Sequence, residues 1–179
     1  MTTAHQTIFN PRNGQKMIFR TTAQDTNGAY LEIKTFNPPS DEKEPEHVHP
    51  RQESSVEVLS GTLHFSIGGR NHLVGPGEKV TIPPGVPHFF WNEGPQEVHS
   101  IQRFRPALTI DHFFKTYFAL AHAQKLNSQG LPPLLILSRL ALRYQNDIRI
   151  TKPPWPIQKF LFLLMAPVSK LLIRSKRIK

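Results

Sequence analysis

Seven short segments of alternating polar and apolar residues, each closed by a turn signal, constrain this chain more than any other feature. They are QKMIFR (15–20), AYLEIKTF (29–36), SVEVL (55–59), TLHFSI (62–67), EKVTI (78–82), HFFW (88–91) and EVHSIQRF (97–104). The separators are NG, NPP, SG, GG, GPG, PPG and NEGP. Period-two alternation broken by Gly and Pro at such intervals predicts an antiparallel β-sandwich or barrel. SVEVL and TLHFSI, joined by Ser60 and Gly61, read as the clearest hairpin, because glycine supplies the positive φ of a tight turn. Gly68 and Gly69 make the next turn.

Past Pro106 the pattern changes to helical spacing. One helix is expected within Ala107–Asn127 and a second within Leu134–Tyr144. A third is expected within Ile157–Ile173, interrupted at Pro167. The formal charge of +9 also divides here. Residues 1–101 hold 8 Lys and Arg against 11 Asp and Glu, while residues 102–179 hold 14 against 2. A mildly acidic domain (1–106) with a basic helical extension (107–179), packing on the barrel or on a partner, fits this split better than a uniformly basic nucleic-acid-binding surface. A nucleic-acid partner is therefore not expected.

The 179 residues contain no cysteine. Disulfides, thiolate nucleophiles and zinc fingers are excluded, and any transition-metal site must be built on histidine and carboxylate. The opening MTTAHQTIFNPRNG shows no secretory signal, and the charge-free run Phe160–Ser169 is half of what a bilayer crossing needs. A cytoplasmic location is expected.

The candidate chemistry lies in PEHVHPRQE and GEKVTIPPGVPHFFWN. In an extended chain His47 and His49, two apart, project to the same side and can grip one cation. His88 can close the site across a barrel. In the second segment Gly77, Pro83, Gly85, His88 and Asn92 stand at fixed intervals. This spacing resembles the second conserved motif of the cupin superfamily at every position. The first motif is recognisable in His47, His49, Glu53 and Gly61, with two departures: Asp41 stands where a glycine is usual, and seven residues rather than six separate Glu53 from Gly61.

The resemblance implies a mainly β fold, a jelly-roll β-barrel (double-stranded β-helix), here followed by the α-helical extension. It also implies one divalent transition metal (Fe, Mn, Ni, Zn or Cu) held by His47, His49, His88 and Glu53. Strand alternation puts Ser54, not Glu53, in phase with the inward Val56 and Val58, so Glu53 reaches the metal only across a one-residue bulge. Gln52, Ser54, Phe65 and Phe90 are candidate pocket-lining residues. Gly77, the neighbouring prolines, Gly85 and Asn92 are read as shaping the turn into His88. A small-molecule metalloenzyme follows, a dioxygenase-like oxidoreductase first and an isomerase second. The alternative is a non-catalytic binder of small molecules. Two expectations attach to the extension: homodimer formation, or contact with an anionic membrane surface through its apolar and basic residues.

Overall fold

The computed structural model describes residues 2–40 and 43–175, with the backbone alone from residue 166. Ten strands precede the first helix: β1 (Thr7–Phe9), β2 (Lys16–Thr21), β3 (Leu31–Asn37), β4 (His47–Val48), β5 (Glu53–Ser60), β6 (Leu63–Ile67), β7 (Arg70–Val74), β8 (Lys79–Ile82), β9 (His88–Trp91) and β10 (Val98–Arg105). Then come α1 (Ile110–His122), α2 (Leu134–Arg143), β11 (Arg149–Ile150) and α3 (Trp155–Ser175). The strands form two antiparallel sheets. One is ordered β1-β2-β3-β10-β5-β8 and the other β11-β4-β9-β6-β7.

All seven segments read from alternation are strands. Their inward positions, joined by Val74 of β7, build a core between the sheets from Val56, Val58, Leu63, Phe65, Ile82 and Val98. A second core joins Met17, Phe19, Leu31, Ile33 and Phe104 to Ile110 and Phe118 of α1. The basic extension therefore begins by packing its first helix on the barrel. Burying such side chains contributes roughly 1.5–3 kcal/mol each, and α1 is held by the same term that holds the sheets.

Two expectations are corrected. SVEVL and TLHFSI do not pair with each other: β5 lies between β10 and β8, and β6 lies between β9 and β7. Ser60–Gly61 is a corner at which the chain leaves one sheet for the other. Gly61 is required there for its φ of 76° and for space, since a Cβ would lie 2.9 Å from Val98 Cγ2. The true hairpin is β6–β7, turned by Gly68 and Gly69, both at positive φ. Second, the backbone of α3 continues through Pro167. A proline removes one intrahelical bond, to the carbonyl four residues back, and the turns on either side persist.

α2 and α3 pack together. Phe162 and Gln158 are buried, and the Trp155 ring meets Phe162 edge-on at 6.5 Å. β11, unforeseen in the sequence, adds to β4 at the edge of the five-stranded sheet, with Ile150 opposite His47. No helix among the described residues is long and apolar enough to cross a membrane.

Candidate metal centre

β4 and β9 are neighbours in register, with His47 directly opposite His88, and His49 follows one turn of the pleat later. The three rings are buried and stand 4.5 Å (His47–His88), 5.2 Å (His47–His49) and 5.2 Å (His49–His88) apart between centroids. One nitrogen of each ring lies within 4.8 Å of the others.

The other nitrogen of each ring is already occupied. His47 Nδ1 faces the Pro45 carbonyl at 3.0 Å, His88 Nδ1 the Val86 carbonyl at 2.8 Å, and His49 Nδ1 the Asp147 carbonyl at 2.7 Å. A carbonyl only accepts, so each Nδ1 carries the proton and donates. Each Nε2 then keeps a lone pair, directed at its two neighbours. Hydrogen bonding of one imidazole nitrogen to a backbone carbonyl is the arrangement that fixes a metal-binding histidine in its tautomer and orientation.

Electrostatics agree with geometry. Burial pushes all three histidines below the ordinary imidazole range. His49 is held well below it, with the other two rings opposing its protonation as well. His88 is lowered to about 4, first by burial and next by His47. Three neutral imidazoles converge without carrying charge into the interior, and the residues present fit a divalent transition metal.

Glu53 does not join them. It is exposed on β5, and its register with Arg105, like that of Ser54 with Ile82 and Phe104, runs without a break through Val56. The only irregularity between β5 and β10 falls at His99/Ser100, beside the far end of β5, too late to turn Glu53 inward. Ser54 takes the inward position, buried, with Oγ lacking a hydrogen-bond partner. Gln52 is also corrected. It is fully buried away from the cavity, and its Nε2 donates to the Pro106 and Ala107 carbonyls at 2.9 Å each, fastening β5 to the joint before α1. Ser54, Phe65 and Phe90 do line the cavity beside the histidines.

Gly77 and Gly85 adopt φ of 80° and 78° at their turns, and Gly85 N donates to the His49 carbonyl, joining the two histidine segments. Asn92 ties its loop through Nδ2 to the Asn37 and Gln96 carbonyls. These residues shape the site, as read from the sequence.

Two contributors were not foreseen. Glu44 lines the cavity, its Oε1 accepting from Phe90 N at 3.3 Å, and burial raises its carboxyl to about 7 against the opposing influence of His88. Asp147 works at both ends: its carbonyl orients His49, and its carboxylate accepts from Thr109 N (2.7 Å) and Thr109 Oγ1 (2.9 Å) at the start of α1. One signal was available. Asp111 and Asp147 are the two acids of residues 102–179, and both are buried and bonded, Asp111 to the Thr2 hydroxyl.

The cavity measures about 160 Å³. The histidine cluster lines it together with residues of the extension: Phe113, Phe114 and Tyr117 of α1, Leu137 of α2, Ile150 of β11 and Trp155 of α3. The pocket surface is mostly apolar, with polar and charged groups such as Arg12, Lys43, Glu44 and Arg149 set into its wall, a form suited to a small molecule.

Comparison with known proteins agrees with this architecture. Residues 36–101 match the family model of the Cupin domain. A protein of Arthrobotrys oligospora named an oxidoreductase is 26% identical over 157 residues, covering 83% of this chain; the chain spans only 59% of that relative's length. An RmlC-like cupin from Shewanella frigidimarina superposes with a TM-score of 0.50 at 22% identity, over 62% of this chain and 94% of its own. The matched residues contain β4 through β9 and hence all three histidines, and this stretch, residues 36–101, is a cupin domain.

Proposed function

We propose that this chain is a metal-dependent enzyme acting on a small molecule, an oxidoreductase of the dioxygenase kind before an isomerase, with one divalent transition metal on His47, His49 and His88. The observation that carries the reading is the set of three Nδ1–carbonyl bonds, which leave three neutral Nε2 lone pairs convergent in a buried site. The name of the Arthrobotrys relative supports the order of the two activities. His47, His49 and His88 would hold the metal, which when bound would supply Lewis-acid or redox chemistry to a small molecule in the cavity.

The protein's own contributions are binding and exclusion. Phe65, Phe90, Phe113 and Phe114 present apolar surface to a substrate and keep water from the cavity. Gln102 and the Ser54 hydroxyl offer neutral hydrogen-bonding groups there. Glu44, its carboxyl raised by burial to about 7, exchanges a proton near neutral pH and can donate in one form and accept in the other at the cavity wall.

Elemental mass spectrometry of the untagged protein tests the reading. We expect about one equivalent of transition metal, lost in His47→Ala and in His88→Ala, and oxygen uptake with small hydroxylated or aromatic substrates in the wild type alone. Folded protein that carries no metal and cannot be reconstituted would overturn it. That result would favour a second reading, a non-catalytic binder, which one observation supports: Ser54 stands at the inward position where the resemblance implies a carboxylate.

A further inference from the structure

α3 is apolar on two sides, and only one is covered. Its inner side packs Phe162 and Gln158, with Gln158 Nε2 donating to the Ile150 carbonyl at 2.9 Å. On its outer side Ile157, Phe160, Leu161 and Leu164 stand at positions i, i+3, i+4 and i+7, which align them in a single stripe. Ile157 is 53%, Phe160 64% and Leu164 61% exposed. A surface helix of a globular protein ordinarily places polar residues on that side, and a contiguous apolar stripe marks an interaction surface.

Charge identifies what covers it. From residue 152 to 179 the sequence holds Lys152, Lys159, Lys170, Arg174, Lys176, Arg177 and Lys179 and no acidic residue. A second copy of the same segment would offer it only more positive charge and no acidic residue to pair with. An anionic phospholipid surface complements both features at once: acyl chains take the stripe, and headgroup phosphates take the cations.

We propose that α3 is an interfacial helix that docks this protein on anionic membranes, lying in the plane of the bilayer surface with Ile157, Phe160, Leu161 and Leu164 immersed. Trp155 and Gln158, elsewhere on the same helix, line the cavity. Docking therefore brings the helical wall of the cavity to the membrane, whichever reaction the cavity supports.

The test is flotation of the full chain with vesicles of phosphatidylcholine alone and of phosphatidylcholine and phosphatidylglycerol in equal parts. We expect at least about tenfold stronger binding to the anionic vesicles, weakening as salt is raised. The double variant Phe160→Glu/Leu164→Glu should reduce it by about tenfold or more, with an unchanged circular dichroism spectrum because both side chains are exposed. Phe160→Gln serves as a milder second variant, expected to weaken binding in the same direction. Absence of binding to anionic vesicles, equal binding to both compositions, or full binding by the folded variants would overturn the proposal. A wild-type dimer that the double variant dissociates, without vesicle binding, would overturn it in favour of a second copy.

Discussion

A transition metal needs its imidazole ligands unprotonated, and burial keeps His88 in that form down to about pH 4. The same burial has a consequence for stability. Between about pH 6.5, where an unfolded histidine titrates, and about 4, the unfolded chain binds a proton that the native chain refuses. Metal-free protein is then fully stable above this window and loses stability as pH falls through it, His88 alone withdrawing about 3 kcal/mol. His47 and His49 act in the same direction. Urea midpoints of chelator-treated protein should therefore fall from pH 7 to pH 5, and His88→Gln should fall less steeply. Glu53 gives the opposite expectation. Because it faces solvent, Glu53→Gln should leave metal content unchanged and shift stability by no more than about 0.5 kcal/mol, as metal analysis and urea denaturation would show.

At the scale of elements, the joint between β11 and α1 is the most consequential. Asp147→Ala would remove the acceptor of the Thr109 N–H and hydroxyl at the start of α1; because Thr109 is exposed and water can take part of that place, it should cost about 1 kcal/mol in urea denaturation. Asp147→Asn, which keeps one acceptor oxygen, should cost less. This joint is also where the sequence was least legible. Strands of four or more residues with one face in the core announce themselves by alternation, and so do the helices α1 and α2. β4 and β11 have two residues each, too few to show a period, and β7 exposes four of its five. The Ser60–Gly61 corner shows the complementary limit: positive φ is legible in a glycine, but whether the chain folds back or crosses to another sheet depends on Val98, nearly forty residues away. The histidines were found from motif spacing and the outward phase of Glu53 from alternation. Nothing in a linear string connects His49 to Asp147.

For the molecule as a whole, barrel and extension share one core through Ile110 and Phe118 and one sheet through β11. They should unfold together. The chain has two tryptophans, Trp91 in β9 and Trp155 in α3. Trp155→Phe and Trp91→Phe variants, each leaving one reporter, should give coincident urea transitions by fluorescence; separated midpoints would show that α3 is held independently. The bond from His49 to the Asp147 carbonyl, spanning 98 positions, also sets a schedule. During synthesis at about 5–20 residues per second, all three histidines emerge several seconds before Asp147 and β11. Throughout that interval the nascent barrel has its imidazoles but not the acceptor that aims the second of them. The aiming of His49 is thereby deferred until Asp147 has emerged and β11 has docked, whereas His47 and His88 find their acceptors two residues away.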